Sequence, residues 1–554
     1  MMICLRVLGS FILLSIAGIP FACEGNLQGD VGENVEWPAV TVPTEGSPWP
    51  LPQNMQTGTD VFALSDMTFR FSYAGATSCN ILDQAFLRYF DIIFYGHPLR
   101  KAEGKPQYGA HMKPSKLGAN LLPGLTVAET DCSEMYPSLQ SNENYTLTVS
   151  SDMASLKAAS IWGVLKGLET FSQLVYESDM GGLIVNSTTI TDFPRFAHRG
   201  FLIDTSRHFV HVKYIFQMID ALAVNKMNVL HWHITDDQSF PYESVMFPML
   251  DAQGAFSPMH VYTQLDIAAV IAYARDRGVR VMPEFDTPGH AASWASIKDF
   301  LTPCYSGGKP DGTTGPVNPI VNATYDFLGK FFGEIHDVFP DNYVHVGGDE
   351  VSFKCWQSNP DITEFMKQMG FGTDYAKLEQ YYMQKLLALL DSLKVQSIVW
   401  QEVVDNGVQV SDTTVVQVWL DKWQDEFAKA TKAGHRVLLS TPWYLNRVGN
   451  PYSKPWHADY KVNPRHFNGT AEQKKLVMGG EACMWGEYVD GTNIIQRTWP
   501  RASTIAERLW SASTVTDVNA AAPRLAEQRC RMVRRGLQAS PVTGPGFCKF
   551  EYDL

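Results

Sequence analysis

The chain has 554 residues, which is too long for one ordinary core and predicts two or three domains. Hydrophobic residues make up 45% of it and charged residues 19%, as in folded globular proteins rather than disordered ones. Its net charge of −13 and pI of about 5.5 argue against a nucleic-acid-binding protein, which would need a basic face to neutralise phosphates.

The N-terminus predicts a secretory signal. Arg6 precedes the apolar run 7–19, and small or polar residues follow from Ala22 onward. The run is shorter than the roughly 20 apolar residues that a membrane-spanning helix needs. We therefore expect a cleaved signal peptide at residues 1–22, a tail or propeptide at residues 23–47, and no later membrane span.

The cysteines fit a secreted chain. Cys4 and Cys23 lie in or beside the signal, so seven of the nine remain, which allows at most three disulfides and one free thiol. Proximity in the sequence suggests the bonds Cys79–Cys132, Cys304–Cys355 and Cys530–Cys548, with Cys483 left free. Other pairings are formally open. No Cys/His cluster has zinc spacing, so we expect no metal and no cofactor.

Four Asn-x-Ser/Thr sequons begin at Asn144, Asn186, Asn322 and Asn468. One sequon is close to chance, but four behind a signal peptide predict glycosylation at surface positions. The sequence carries no readable lysosomal address, so a lysosomal and a secreted location both stay open.

Residues 48–193 predict a smaller, non-catalytic α+β domain. The alternating runs 68–73 and 144–150 are typical of strands, whereas 80–95 and 154–176 carry apolar residues at helical spacing. After Pro194 the pattern changes to short apolar runs separated by helical segments. We therefore place a second, catalytic domain with C-terminal helices at 194–554.

The second domain contains eight short apolar runs, at 199–206, 227–237, 279–285, 343–350, 397–402, 415–419, 436–443 and 476–485. Helical periodicity between them is clearest at 212–224, 264–277, 375–393 and 423–433. This alternation predicts an α/β fold, a parallel (β/α)8 TIM barrel. A doubly wound open sheet would alternate in the same way, but the count of eight and the absence of a GxGxxG loop favour the barrel.

Nearly every run ends in a polar or aromatic cluster on its C-terminal side. The clusters are Arg207-His208, Asp236-Asp237, Glu284 to His290, Asp349-Glu350, Trp400 to Glu402, Trp419, Trp443-Tyr444 and Trp485 to Glu487. Active sites of barrels lie at that face, so these groups would converge on one mouth. Because a purely structural barrel has no reason to place them there, the pattern predicts an enzyme.

The segment His-Val-Gly-Gly-Asp-Glu-Val, residues 345–351, carries the predicted chemistry. Its two glycines allow the backbone to approach another surface closely. Asp349 and Glu350 would point to different parts of one ligand, because side chains alternate along a strand. A carboxylate pair in an aromatic-rich mouth indicates glycosidic bond cleavage, and a structural Asp-Glu pair at a loop start is the alternative.

Seven segments of the barrel are long enough to compare with known families. They are HRGFLIDTSRH (198–208), HWHITDDQSFPYES (231–244), EFDTPGH (284–290), HVGGDE (345–350), WQEV (400–403), PWYLNR (442–447) and GGEACMWGEYVD (479–490). In this order they resemble the motifs of β-N-acetylhexosaminidases of glycoside hydrolase family 20, most strongly the alpha-like lysosomal chains of animals. The resemblance extends from about Trp49 to the C-terminus.

The resemblance implies exo-acting removal of terminal N-acetylhexosamine, in which the 2-acetamido oxygen of the substrate is the nucleophile. Glu350 would be the general acid and then the general base. Asp349 would accept the acetamido N–H, and Tyr444 would donate to the acetamido oxygen.

Further substrate-binding residues are implied by the same resemblance. Trp400, Trp419 and Trp485 would form the wall around the sugar and its N-acetyl methyl group. Arg199 and Glu487 would grip hydroxyl groups at the non-reducing end through charge-assisted hydrogen bonds. For Arg199 the alternative is a structural salt bridge.

Asp236 and His290 would lie behind the acid/base residue, with His290 hydrogen-bonded to Glu350 and oriented by Asp236. A merely structural hydrogen bond is the alternative for this pair. Three neighbouring polar residues are interpreted as structural: His231, His233 and Asp237.

Asn446 and Arg447 match a subclass of the family that also accepts negatively charged substrates. An arginine at the rim of the site is the residue that a sulfate or carboxylate group of such a substrate would need. Two other positions differ from that subclass. Leu420-Asp421 stands where the subclass has a basic residue followed by an acidic one, and the loop 307–310 has no acidic residue where the subclass has one. We therefore expect action on 6-sulfated substrates but no shared lipid-presenting partner.

The resemblance also implies a homo- or heterodimer that acts on glycan or glycolipid substrates. One alternative is a secreted chitinolytic or N-glycan-trimming hexosaminidase. Another is a catalytically silent glycan-binding barrel, which the presence of both carboxylates, Tyr444 and all three tryptophans disfavours.

Overall fold

The structure is a computed structural model that describes residues 40–75, 79–96, 120–128, 131–179, 181–447 and 455–548. The predicted signal peptide and residues 23–39 of the predicted tail lie outside this part of the chain. Residues 40–47 of that tail run along the C-terminal helix, where Thr44 Oγ1 and Gly46 N donate hydrogen bonds to the Glu527 carboxylate. This stretch is therefore bound to the folded chain.

The N-terminal domain is built on one mixed sheet. Its strands are β1 (Asn54–Leu64), β2 (Arg70–Tyr73), β3 (Asn120–Leu121), β4 (Gly124–Ala128), β5 (Tyr145–Val149), β6 (Ala154–Lys157), β7 (Tyr176–Glu177) and β8 (Leu183–Asp192). Their order is β2-β4-β6-β5-β8-β1-β3, and β7 pairs with β8 outside this order. Helices α1 (Asn80–Phe94) and α2 (Ile161–Leu174) share one apolar core with the sheet. The predicted α+β domain is confirmed.

One predicted helix is too long. The sequence pattern predicts a helix at 154–176, but residues 154–157 form strand β6, and α2 begins at Ile161. Ser160 caps α2 by accepting a hydrogen bond from Gly163 N. Ala154 and Leu156 of the strand are buried in the same core as the helix, which explains why helical spacing could be read across both elements.

The second domain contains ten strands in the described residues. They are β9 (His198–Asp204), β10 (Val229–Thr235), β11 (Arg280–Phe285), β12 (Leu301–Ser306), β13 (Lys309–Val317), β14 (Tyr343–His345), β15 (Gln396–Trp400), β16 (Val415–Val418), β17 (Arg436–Leu439) and β18 (Val477–Met484). All except the hairpin β12-β13 close into a parallel barrel in chain order. Each barrel strand overlaps one of the eight predicted runs, so the TIM barrel is confirmed.

Helices surround the barrel and cover its outer face. They are α3 (Val212–Val224), α4 (Met249–Gly254), α5 (Gln264–Arg275), α6 (Asn322–Val338), α7 (Lys354–Ser358), α8 (Pro360–Gln368), α9 (Tyr375–Ser392), α10 (Gln401–Asp405), α11 (Trp423–Lys432), α12 (Pro455–Lys461), α13 (Ala471–Lys475), α14 (Ile494–Thr498), α15 (Arg501–Trp510) and α16 (Val518–Arg534). Local sequence sets several of their starts: Thr263 and Asp266 form a capping box for α5. The four predicted helices correspond to α3, α5, α9 and α11.

Two predicted disulfides are present, Cys304–Cys355 and Cys530–Cys548. The third predicted pair differs, because Cys79 and Cys132 are free thiols. Burial, together with a hydrogen bond to Cys79, raises the pKa of Cys132 to about 12. The two thiols therefore meet as the spacing suggests, but no bond joins them. Cys483 is a buried free thiol.

The sequon asparagines differ in exposure. Asn144, Asn322 and Asn468 are exposed, whereas Asn186 is half-buried and its amide oxygen accepts a hydrogen bond from the Tyr176 hydroxyl. Among the described residues, no helix combines the length and the apolar character that crossing a bilayer requires.

Arg199 lies where the two domains meet, at the N-terminal end of β9, and is fully buried. Its guanidinium donates to both oxygens of Glu143, at 2.7 and 2.6 Å, and to the carbonyls of Phe196 and Lys226. Its Cζ lies 4.9 Å from the ring centre of Trp510. The predicted sugar-gripping role of Arg199 is wrong, because this end of the barrel is opposite to the mouth. The alternative, a structural salt bridge, is correct.

The variant R199M is expected to destabilise the fold by about 3–5 kcal/mol, because it leaves the Glu143 carboxylate buried without its main partner. Lys166 Nζ, 3.4 Å from Glu143 Oε1, compensates only in part. Thermal and urea unfolding measure this effect. An unfolding free energy equal to that of the wild type would contradict the assignment.

Candidate active site

The backbone turns sharply after β14, at the carboxyl end of the barrel. Gly347, Gly348 and Glu350 have positive φ angles of 72°, 98° and 51°. A Cβ at Gly347 would lie 1.5 Å from Asp286 Oδ1, and one at Gly348 would lie 2.3 Å from a neighbouring side chain. Both positions therefore require glycine. The turn, rather than the strand itself, presents Asp349 and Glu350, because β14 already ends at His345.

Asp349 is buried beside a second carboxyl group, that of Asp286. Asp286 Oδ1 accepts a hydrogen bond from Gly348 N at 3.0 Å, and the two carboxyl groups hydrogen-bond to each other. Burial and the charge of Asp349 raise the pKa of Asp286 well above its ordinary value, so this pair holds a proton. Asp349 Oδ1 is buried and has no hydrogen-bond partner among the described residues. It is available to accept a hydrogen bond from a ligand.

Glu350, His290 and Asp236 form a chain of polar groups. His290 Nε2 lies 3.5 Å from Glu350 Oε2, and His290 Nδ1 lies 3.1 Å from Asp236 Oδ1. The Glu350 side chain is 59% exposed, whereas that of His290 is 14% exposed. The glutamate therefore reaches into the open mouth, and the histidine supports it from below, as the resemblance implies.

These contacts shift the titration of each member. Burial alone would lower the pKa of His290, but hydrogen bonds to Asp236 and Glu350 outweigh it and raise that pKa strongly. The hydrogen bond from His290 in turn lowers the pKa of Glu350. Burial would raise the pKa of Asp236, but hydrogen bonds from His233 and His290 lower it. The result is a protonated imidazole between two carboxylates.

A ladder of buried histidines and carboxylates continues this chain into the barrel. His233 Nδ1 lies 2.6 Å from Glu284 Oε2, and its Nε2 lies 3.0 Å from Asp236 Oδ2. His231 connects Glu284 Oε2, at 3.0 Å, with Glu481 Oε2, at 2.7 Å. His233, interpreted from the sequence as structural, contacts Asp236 directly and so orients its carboxylate. Alternation along β10 turns both histidines to the barrel interior, and this was the available signal.

Three groups of these side chains bring possible metal ligands within 4.8 Å of one another: His231, Glu284 and His345; Asp236, Asp237 and His290; and Asp286, His290 and Asp349. The second and third groups line the mouth, and their short distances have other causes. His290 is hydrogen-bonded to Asp236, and Asp286 shares a proton with Asp349. The absence of a metal and of a cofactor stays a prediction.

Aromatic rings form a wall beside the carboxyl groups. Trp400, Tyr444 and Trp485 pack in one cluster, with Trp485 at 6.1 Å from Trp400 and 6.3 Å from Tyr444 between ring centres. Trp419 packs against Tyr444 at 6.2 Å. Burial raises the pKa of Tyr444, and the charge of Asp349 adds to the effect. The predicted rings are thus assembled next to the predicted catalytic aspartate.

Arg207, rather than Arg199, reaches the mouth. Its Nη2 lies 2.7 Å from Asp236 Oδ2, and its Cζ lies 5.1 Å from the ring centre of Trp485. The side chain of Glu487 is exposed, and its charge acts on Arg207. Both arginines belong to the same motif, HRGFLIDTSRH. The direction of the strand was the signal that distinguishes them, because only Arg207 follows its carboxyl end.

Asn446 and Arg447 follow Tyr444 at the edge of this wall. Arg447 is exposed, and its Cζ lies 4.8 Å from the ring centre of Tyr444. Asn446 is half-buried, and its Oδ1 has no hydrogen-bond partner among the described residues. Both side chains therefore stand beside the ring that the resemblance assigns to the acetamido group.

A closed parallel barrel that carries paired carboxylates, a histidine relay and an aromatic wall at its carboxyl end is the architecture of a glycoside-cleaving enzyme. Comparison with known proteins defines the family. A family model described as "Glycosyl hydrolase family 20, catalytic domain" matches residues 196–513, and one described as "beta-acetyl hexosaminidase like" matches residues 48–174.

The chain is 50% identical to the beta-hexosaminidase subunit beta of Felis catus, over 91% of this chain and 94% of that one. It is also 50% identical to the beta-hexosaminidase subunit alpha of Rattus norvegicus, over 91% and 95%. Among solved structures, a chitobiase of Flavobacterium johnsoniae is 30% identical with a TM-score of 0.75, covering 89% of this chain and 73% of that one. The chain belongs to glycosyl hydrolase family 20, and its activity is exo-acting hydrolysis of terminal β-linked N-acetylhexosamine.

The variant R207M is expected to lower kcat/KM on a chromogenic N-acetylglucosaminide by about 100-fold. It removes a cation that orders Asp236 and that can donate charge-assisted hydrogen bonds into the mouth, which are each worth about 1.5–3 kcal/mol. Steady-state kinetics with correctly folded protein tests this. R199M is the matched control, because it removes an arginine of the same motif yet should leave KM unchanged. The reverse pattern would refute both assignments.

Proposed function

We propose that the enzyme releases terminal N-acetylglucosamine or N-acetylgalactosamine with retention of configuration, by substrate-assisted catalysis through the 2-acetamido group. The observation that carries the proposal is the buried, unpaired Oδ1 of Asp349 beside the aromatic wall. An acetamide needs an acceptor for its N–H and an apolar surface for its methyl group. Asp349 and the ring cluster supply these two features together.

In the first step, Glu350 gives its proton to the glycosidic oxygen while the acetamido carbonyl oxygen attacks the anomeric carbon. The C–O bond to the leaving group breaks, and a cyclic oxazolinium ion forms. Asp349 accepts the acetamido N–H and stabilises the positive charge. In the second step, Glu350 takes a proton from water, whose oxygen attacks the anomeric carbon and reopens the ring. Two displacements at one carbon retain its configuration.

Orientation is the main task of such a site, because a well-placed intramolecular nucleophile has an effective molarity of about 10⁵–10⁸ M. Tyr444 is proposed to donate to the acetamido oxygen, and Trp400, Trp419 and Trp485 to enclose the sugar. Arg207 and Glu487 are proposed to bind its hydroxyl groups, which would close the non-reducing end and make the enzyme exo-acting.

The pKa of Glu350 supports an acidic working range. In the free enzyme the hydrogen bond from His290 lowers this pKa, so an increasing fraction of Glu350 is ionised as the pH rises through the acidic range. The first step requires the protonated form, so activity should decline toward neutral pH. An aglycone that covers the exposed carboxyl group would raise its pKa again by desolvation.

The variant E350Q is expected to lower kcat by about 10²–10⁴-fold, because it removes the group that transfers the proton. D349N should also lower kcat strongly, since an amide cannot stabilise the positive ring. The direct test of substrate assistance compares p-nitrophenyl N-acetyl-β-glucosaminide with p-nitrophenyl β-glucoside. Comparable turnover of the glucoside, which has a plain 2-hydroxyl group, would rule out the acetamido nucleophile.

The enzyme is further proposed to accept negatively charged substrates, such as 6-sulfated N-acetylglucosaminides. The exposed guanidinium of Arg447 beside Tyr444 supports this. We expect R447A to lower kcat/KM on the 6-sulfated substrate about 10-fold relative to the neutral one. An unchanged ratio between the two substrates would contradict the proposal, and R436A, which removes an arginine that contacts Tyr343 away from the rim, is a control.

We also propose a lysosomal enzyme that reaches its compartment through the secretory pathway and assembles as a homo- or heterodimer. The support is the relatives' description as beta-hexosaminidase subunits, together with the acidic range that Glu350 favours. Subcellular localisation and the mass of the purified enzyme in solution test these points. Secretion with activity on chitin oligosaccharides would instead favour the digestive alternative.

A further inference from the structure

Glu402 is the second residue of α10, directly behind the aromatic wall. Both of its carboxyl oxygens lie within hydrogen-bond distance of the Trp419 indole Nε1, at 3.1 and 2.9 Å. The preceding residue, Gln401, uses its Oε1 to accept hydrogen bonds from the backbone N–H groups of Trp419 and Leu420, at 3.1 and 3.0 Å. Two adjacent side chains therefore hold one tryptophan: Gln401 holds its backbone, and Glu402 holds its ring.

Trp419 needs such support because it stands at the edge of the wall. It is half-buried and contacts Tyr444, whereas Trp400 and Trp485 are enclosed in the central cluster. A half-buried indole can rotate about two side-chain torsions unless its N–H has a fixed acceptor. The acceptor at Glu402 therefore decides where the edge of the pocket lies.

The charge state of Glu402 suits its position near Asp349. Burial and the charge of Asp349 raise the pKa of Glu402 to about 8, the hydrogen bond from Trp419 opposes this rise, and Asp405 on the same helix adds to it. Asp405 itself is ion-paired with Lys429. Glu402 is therefore a neutral acid through the acidic range, and it accepts the indole N–H without placing a second negative charge beside the Asp349 pair.

We infer that Glu402 is a positioning residue for hydrolysis: its carboxyl group orients the Trp419 indole and so sets the wall against which the N-acetyl group of the substrate packs. The inference rests on the proposed role of Trp419 in enclosing the sugar. Glu402 touches no reacting atom and acts only through the indole. Its part is to accept the indole N–H, and an amide oxygen can do the same, so glutamine can replace it.

The test uses E402Q, E402L, W419F and the double variant E402L/W419F, assayed on p-nitrophenyl N-acetyl-β-glucosaminide from acidic to alkaline pH. E402L should lower kcat/KM about 10-fold, the effect of losing one partly buried hydrogen bond. E402Q keeps an acceptor oxygen and is isosteric with the neutral acid, so it should stay within about twofold of the wild type at acidic pH. In the W419F background, E402L should cause no further loss.

Glu379 offers a matched control on α9. Its two carboxyl oxygens accept from Asn406 Nδ2 at 3.1 and 3.0 Å, and burial raises its pKa to about 7. Asn406 lies just beyond the far end of α10, so E379L disturbs the same helix without touching Trp419. It should lower the melting temperature but leave kcat/KM unchanged.

Three results would overturn the inference: wild-type kcat/KM in E402L, equal losses in E402L and E379L, or a full additional loss when E402L is added to W419F. If E402L does not fold, E402M replaces it in the single and the double variant, because methionine has an unbranched side chain of similar length. Turnover of the 2-hydroxyl glucoside by the wild type tests the acetamido mechanism separately. The two hypotheses can therefore fail independently.

Discussion

The site depends on one constraint: carboxylates inside the barrel are stable only if cations or hydrogen-bond donors surround them. Glu284 and Glu481 are fully buried in its interior. Burial alone would lower the histidine pKa values, but the facing carboxylates raise that of His231 to about 9 and that of His233 to about 10. These imidazoles therefore remain protonated at neutral and acidic pH. Each is held between two carboxylates, which sets the position of its ring.

This ladder reaches the mouth at Asp236, where one carboxylate orients both His290 and Arg207. The same interior also anchors the wall, because the Trp400 indole N–H donates to Glu284 Oε1 at 2.9 Å. The chain of polar groups behind Glu350 and the inner part of the aromatic wall thus share one support. A substitution deep in the barrel would be expected to disturb acid catalysis and sugar binding together.

The other side of the mouth is held by neutral groups. Asp286 shares a proton with Asp349, and Glu402 stays protonated while it accepts from the Trp419 indole. Asp349 is therefore the main negative charge at the place where the proposed mechanism develops a positive one. A charged network supports the proposed proton transfer, and a neutral one surrounds the proposed acetamido pocket, because a second carboxylate there would compete for the same cation.

The sequence by itself determined the barrel, its eight strands and the motif that ends in Asp349 and Glu350. Buried parallel strands show as short apolar runs, and active-site residues follow their carboxyl ends, so both are local in the chain. Only the tertiary structure placed Arg199 against Glu143, connected His233 to Glu284, and found strand β6 inside a helical pattern. These features depend on contacts between distant segments, such as Arg199 with Glu143, which local periodicity does not encode.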